Sequence, residues 1–318
     1  MKRPGSGPGR ASALVALLLL VAGLAACSSA PPAAPPPPVP VWDGTFGPRP
    51  VDPECRGDAD APRPGDVICF TGTLDEPLRI DVGGTPDAPI VYSGDGRTRV
   101  PGIRAEADHV VIQGFVSDGA DSTGIWAAGQ NIVVQDNVIT QVNYTENDVD
   151  GIRFFGDGAR VLHNEIEDLE GTEDVGEAHV DCMQSFATSR PGSSNVVVQG
   201  NRCEDIRAQC LMAEGPNAET PSTGPTGGGE GVSRNWLFQG NYCDSYAKAQ
   251  SVAFVDVQDV TIADNEMVGE GNKAFALGKD TTGTVVRDNK IGEDYGREVG
   301  FDDPSARQGY QGPPVADG

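Results

Sequence analysis

Val196-Val-Val-Gln-Gly-Asn201-Arg-Cys203 and Trp236-Leu-Phe-Gln-Gly-Asn241-Tyr-Cys243 are two copies of one phrase: apolar, any, apolar, any, turn residue, Asn, any, apolar. Four more copies follow the same pattern: Ile132-Val-Val-Gln-Asp-Asn137-Val-Ile139, Ala159-Arg-Val-Leu-His-Asn164-Glu-Ile166, Val260-Thr-Ile-Ala-Asp-Asn265-Glu-Met267 and Thr284-Val-Val-Arg-Asp-Asn289-Lys-Ile291. An earlier copy, Val110-Val-Ile-Gln-Gly-Phe115, carries Phe in place of Asn. The asparagines stand 27, 37, 40, 24 and 24 residues apart, so the minimal unit is 24 residues and some units carry insertions. Period-two apolar spacing is the mark of a strand, and a unit this short cannot bury its own apolar face. The expected fold is therefore all-β: a single-stranded right-handed parallel β-helix of about seven to eight coils. Each Asn would occupy the same inward turn of successive coils, its amide bonding to backbone and to the next Asn.

A second strand follows in each coil, at Gly124-Ile-Trp-Ala, Gly151-Ile-Arg-Phe, Cys182-Met-Gln-Ser, Cys210-Leu-Met-Ala, Ser251-Val-Ala-Phe and Ala274-Phe-Ala-Leu. Alternation places Ile125, Ile152, Met183, Leu211, Val252 and Phe275 inside, with Trp126, Arg153, Gln184 and Met212 on the outer face. The same register sets Cys182 over Cys210 and Cys203 over Cys243, as bridges or as stacked thiols. Cys55 and Cys69 are expected to pair at the N-terminal start of the helix.

Outside the repeats, Lys2, Arg3 and Arg10 precede an apolar stretch, Ala13–Gly23, that is too short to span a bilayer. Leu24-Ala25-Ala26-Cys27 resembles the bacterial lipobox, which implies a lipoprotein signal peptide over residues 1–26 and a lipid on Cys27. The protein is then extracytoplasmic and meets the membrane only through that anchor, or is secreted if Cys27 carries no lipid. Residues 27–53 read as a Pro-rich linker, residues 54–295 as the β-helix and residues 296–318 as a C-terminal tail or cap. With 47 acidic against 23 basic side chains the formal charge is −24, which excludes a nucleic-acid partner and a cationic membrane-binding face. The chain is expected to act as a monomer on a polysaccharide.

Pro64-Gly65-Asp66-Val67-Ile68 and Gly84-Thr85-Pro86-Asp87-Ala88-Pro89-Ile90-Val91-Tyr92 resemble the opening coils of the pectin-lyase-like superfamily. The resemblance implies the fold and leaves open lyases, hydrolases, epimerases and inactive binding proteins. Asp148-Val149-Asp150-Gly151-Ile152 and Val180-Asp181-Cys182 resemble two acidic segments of polygalacturonases, which would make Asp150 and Asp181 an acid and a base. That family's Gly-His-Gly and Arg-Ile-Lys segments have no counterpart here, and Val180 stands where it carries an aspartate.

By register, Asp148, His179, Arg207 and Lys248 form one column and Asp150, Asp181, Gln209 and Gln250 the next. An imidazole and cations beside carboxylates suit removal of the proton next to a uronate carboxylate and stabilisation of the resulting enolate. The expected activity is thus β-elimination of an acidic polysaccharide, with His179, Asp181, Asp150, Arg207 and Lys248 as the catalytic group. Gln184, Arg153, Gln209 and Trp126 would bind substrate, and Asp148, Asp150 and Asp181 would hold calcium. Hydrolysis, and glycan binding without catalysis, are the alternatives. His109 and His163 fall at turn or strand-start positions and read as solvated surface residues, and the acidic insertion Glu165–Ala178 as a solvated loop.

Overall fold

A computed structural model describes residues 38–143, 148–169, 179–220, 224–225 and 228–315. The expected signal peptide and Cys27 lie outside them. The chain winds as a parallel β-helix built on one fifteen-stranded and one nine-stranded sheet. The larger sheet contains two ladders on either side of a corner. One includes Val133–Gln135, Arg160–Leu162, Ser194–Gln199, Ser233–Gln239 and Val257–Ala263; the other includes Val138–Thr140, Glu165–Glu167, Arg202–Ile206 and Tyr242–Ser245. The nine-stranded sheet runs in order through Leu78–Ile80, Ile103–Glu106, Thr123–Ala128, Asp148–Phe155, His179–Phe186, Leu211–Glu214, Gln250–Val255, Lys273–Leu277 and Val299–Phe301.

The recurrent phrase sets the corner. Its turn residue, Asp136, His163, Gly200, Gly240, Asp264 or Asp288, adopts a left-handed backbone with φ between 52° and 69°. The following Asn then points into the helix. Asn137 Nδ2 donates to Asn164 Oδ1 at 3.0 Å, and the chain of amides continues through Asn201, Asn241 and Asn265 to Asn289 at 2.9–3.1 Å. Each Oδ1 also accepts the backbone N–H of the preceding Asn. Phe115 N–H closes one end by donating to Asn137 Oδ1. At the other end Asn289 donates to Glu298, whose carboxyl is pushed up by burial.

Ile125, Ile152, Met183, Leu211, Val252 and Phe275 pair strand to strand and are fully buried. Each such side chain contributes roughly 1.5–3 kcal/mol relative to exposure. Beside them runs a second inward column, Gly124, Gly151, Cys182, Cys210, facing Ile139, Ile166, Cys203 and Cys243 across the interior. A Cβ on Gly151 would meet Ile166 at 2.6 Å, and one on Gly124 would collide with Ile139. In the next two coils this small-against-large pair is replaced by disulfides, Cys182–Cys203 and Cys210–Cys243, with Cα separations of 6.0 and 6.1 Å. The cysteines do stack in register, but the bridges span each coil's interior instead of joining neighbouring coils. Cys55–Cys69 forms as expected.

Residues 38–53, expected as part of a free linker, fold back onto the larger sheet. Arg160 donates to the Pro38 carbonyl and Gln199 to the Pro40 carbonyl, so the strap climbs from the coil of Asn164 to that of Asn201. Trp42 lies on Gly240, where any Cβ would collide with the indole. The strap then turns and descends the corner: Gly47 N bonds Gly200 O at 2.9 Å, Arg49 pairs with Asp136, and Val51 packs on Gly114. Gly114 and Gly240 are therefore glycines for two reasons, backbone hand and room for the strap, whereas a Cβ on Gly200 would meet the His163 ring. At the C-terminus, Val299–Phe301 adds the last strand, and the 3-10 turn Pro304–Arg307 with buried Ala306 covers the end as a cap.

Candidate functional site

Strands Thr123–Ala128, Asp148–Phe155 and His179–Phe186 lie side by side, with Trp126, Arg153 and Gln184 in register on the outer face. Two residues further along, Phe155 and Phe186 form the next outward row, their rings edge to face at 5.0 Å. Trp126 meets Phe155 at 4.9 Å. Three rings thus tile one surface, and three guanidinium groups stand over it. Arg190, from the turn after His179–Phe186, sits 3.9 Å from the Phe155 centroid and within 5.5 Å of Trp126 and Phe186. Arg104 covers Trp126 at 4.7 Å, and Arg153 lies 6.0 Å from Trp126 and 5.8 Å from Phe186.

The carboxylates divide unequally among these cations. Arg104 pairs with Glu106 and Arg153 with Asp150. Among the described residues Arg190 has no carboxylate partner, and its buried Nε has no hydrogen bond. Burial, with Arg104 and Arg153 nearby, lowers its pKa, although a guanidinium stays charged throughout the working range. Trp126 Nε1, a donor, and Gln184 Oε1, an acceptor, are likewise buried and unpartnered. Cation–π contact holds the guanidiniums in place, but gathering three of them in a chain of net charge −24 leaves repulsion that an anion would relieve.

At the other end of the same strands, Asp150 and Asp181 pair in register and are almost wholly buried. Strict alternation would send them inward with Ile152 and Met183. Gly151 and Cys182 take the extra inward place, so the chain bends there and the Asp150 carboxylate meets Arg153 on the outer side. Asp181 Oδ1 accepts the Gln209 backbone N–H at 2.7 Å. Thr123 Oγ1 and Gln209 Oε1 nearby are buried and unpartnered.

Asp148 and His179 pair across adjacent strands, and their side chains lie outside the described residues. Arg207 and Lys248 are exposed in the turns before Leu211–Glu214 and Gln250–Val255. Arg104, Phe155, Phe186 and Arg190 were not singled out from sequence. The two phenylalanines could have been, since alternation carries the outer face from Arg153 and Gln184 directly to them. Arg190 sits in a turn with no periodic signal.

Of the residues expected to hold calcium, Asp150 gives one oxygen to Arg153, Asp181 gives one oxygen to the Gln209 backbone N–H, and the Asp148 side chain lies outside the described residues. Among the described residues the carboxylates that converge are Glu165, Glu167 and Glu204, and there Arg202 pairs with Glu165 and Glu204. His163 is displaced from expectation. It is buried beneath the strap, at 4% exposure, and its pKa is lowered by burial and by Arg49.

No protein-family model matches this chain, and no curated protein matches it. Among solved structures it is similar to a PL6 family alginate lyase, at 14% identity and a TM-score of 0.45 over 76% of this chain and 38% of that one. It is similar to the tailspike protein of E. coli bacteriophage HK620 in complex with pentasaccharide, at 11% identity and a TM-score of 0.43 over 70% and 45%. A mannuronic acid specific family 6 polysaccharide lyase from human gut microbiota aligns at 11% identity and a TM-score of 0.37 over 78% and 85%. The chain spans less than half the length of the first two.

Proposed function

We propose that the outer face between Arg104 and Gln184 binds an acidic polysaccharide, and that the protein, exported and held at the membrane by a lipid on Cys27, cleaves it as a monomer by β-elimination. The supporting observation is Arg190, a cation without a carboxylate partner among the described residues, held over three aromatic rings beside two more arginines. A uronate supplies what this surface lacks. Its carboxylate can take a forked pair of bonds from a guanidinium, its ring can lie on the aromatic faces, and its hydroxyls can serve Trp126 Nε1 and Gln184 Oε1.

In elimination a base takes the proton on the carbon next to the carboxylate. The electron pair then forms the ring double bond as the glycosidic oxygen leaves and gains a proton. His179, at the start of its strand, is assigned as the base, and Arg153 and Arg190 neutralise the enolate. Asp150 acts as a positioning residue through Arg153, Asp181 through the Gln209 backbone, and Arg207 and Lys248 steer the polyanion. The positive charge is thus assigned to arginine, and no step passes through calcium.

The second reading, glycan binding without cleavage, is favoured by the engagement of both buried carboxylates, which equally disfavours acid–base hydrolysis by Asp150 and Asp181.

The test is incubation with a panel of polyuronates, with calcium or with chelator, following ultraviolet absorbance and reducing ends while calorimetry measures binding. The expected result is an absorbance rise insensitive to chelator. Arg190→Met should lower kcat/KM by roughly 30- to 100-fold, the loss of one charge-assisted contact. Binding without absorbance moves the assignment to the second reading, and reducing ends without absorbance to hydrolysis. Absence of binding across the panel, or unchanged binding by Arg190→Met, overturns the site.

A further inference from the structure

The outward column that carries the arginine-aromatic surface does not begin at Arg104. Arg79, on Leu78–Ile80, pairs in register with Arg104, and the column then runs through Trp126 and Arg153 to Gln184. Leu78–Ile80 is the edge strand of the nine-stranded sheet, so Arg79 stands at the open end of the row. Its side chain is exposed, and among the described residues it pairs with no carboxylate and lies over no aromatic ring. Arg104 differs on both counts. It covers Trp126 and pairs with Glu106 two residues on, whereas Asp81, in the same sequence relation to Arg79, forms no ion pair with it. Two guanidinium groups on paired positions of neighbouring strands repel one another, and a bound anion would relieve that repulsion.

The opposite end of the column is closed. Beyond Gln184 it continues through Met212 to Ala253 and Ala276. Both alanines occupy outward positions, yet they are only 3% and 1% exposed. The insertion that follows Leu211–Glu214 reaches toward the ends of their strands: the Asn217 N–H donates to the Asp256 carboxylate at 2.7 Å, and Glu219 pairs with Lys279 at 2.6 Å. A polymer lying along the column therefore has room to extend in one direction, toward Arg79.

The coil spacing sets the scale. Neighbouring parallel strands lie ~4.8 Å apart, close to the length of one pyranose residue in an extended chain. The three steps from Arg104 through Trp126 and Arg153 to Gln184 then accommodate about four sugar residues, and the further step to Arg79 about one more.

We infer that Arg79 forms a terminal subsite of the outer face, an inference that rests on the polyuronate reading given above. It takes the carboxylate of the uronate one residue beyond the one at Arg104, and it makes affinity depend on chain length. The ligand class this favours is a chain of at least five uronic acids with carboxylates on neighbouring residues.

The test is calorimetry of the whole chain with oligomers of galacturonic, mannuronic and guluronic acid, three to eight residues long, in a His179→Ala background so that none is consumed. Affinity should rise on passing from four residues to five. Arg79→Met should remove that rise, a loss of roughly three- to tenfold, and leave trimers and tetramers unaffected. Arg79→Lys should restore part of it. Arg97→Met removes another exposed arginine, one on the larger sheet, and should change nothing at any length. Circular dichroism confirms that each variant is folded. If no oligomer binds before Arg79 is altered, the outer-face reading fails and this inference with it. If oligomers bind but Arg79→Met keeps the same dependence on length, or weakens trimers as much as hexamers, the terminal subsite alone is overturned.

Discussion

Asn201→Ala tests the corner of the helix directly. The Asn201 side chain accepts the Asn164 backbone N–H at 2.9 Å and Asn164 Nδ2 at 3.0 Å, and donates to Val161 O at 2.9 Å and Asn241 Oδ1 at 3.0 Å. After truncation Asn164 Nδ2 keeps Val134 O, and Asn241 Oδ1 keeps the backbone N–H of residue 201. The Asn164 N–H loses its partner in a site closed to water. A buried unsatisfied donor costs about 1–3 kcal/mol, and each remaining lost bond roughly 0.5–1.5 kcal/mol. The expected loss is about 4 kcal/mol, a large part of the 5–15 kcal/mol typical of a domain. Asn289→Ala is the internal control. Its side chain is only half-buried, so water can replace its partners, and about 1 kcal/mol is expected. Urea unfolding of both variants, followed by far-ultraviolet circular dichroism, gives the comparison. An Asn201→Ala loss no larger than that of Asn289→Ala would refute the reasoning that the amide row satisfies buried main-chain groups.

Other expectations follow from the same geometry. Peptide mapping without reduction should recover Cys182 joined to Cys203 and Cys210 to Cys243, with no peptide joining Cys182 to Cys210. Replacing Cys210 and Cys243 together by Ala should cost about 3–4 kcal/mol in the chain-entropy estimate, and intact stability would contradict the bridge. His163 has a lowered pKa in the folded protein, where burial and Arg49 oppose its charge and Asp136, Asp43 and the Gly47 bond favour it. Its contribution is therefore fully present above the unfolded value near 6.5 and lost as pH falls through the folded value. The stability difference between wild type and His163→Gln should change over that interval, and a pH-independent difference would count against a buried neutral ring. Gly240→Ala places a Cβ inside the Trp42 indole, at a position whose φ is 60°. It should release the strap tip, red-shift Trp42 emission and speed proteolysis within residues 38–53, and unchanged cleavage would show that the strap is not held there.

The repeat was readable because each of its positions has one physical task. The left-handed turn residue, the inward Asn and the flanking apolar pair recur at a spacing that only stacked coils satisfy. Register also put Cys182 over Cys210 correctly, yet stacking says nothing about distance across the interior. The informative pattern was subtler: Gly124 and Gly151 face Ile139 and Ile166, and cysteines replace both members of that pair in the next two coils. His163 was misread because its environment is supplied by residues more than a hundred positions earlier, in a stretch whose prolines suggest a free spacer. At the outer face, alternation carried the reading as far as Arg153 and Gln184. The tight pairing of Asp150 with Arg153 depends on a bend at Gly151, and Arg190 depends on the path of a turn.

The strap alters how the solenoid can come apart. A stack of coils that touch only their neighbours unravels from its ends in small independent steps. Here one segment grips the corner at Gly114, Asp136, Gly200 and Gly240, so those coils cannot open singly without first shedding a shared clasp. The coils of Asn265 and Asn289 lie beyond its reach. Amide exchange should therefore divide the helix into a block from Gly114 to Gly240 with one common opening energy, and a C-terminal part that frays coil by coil.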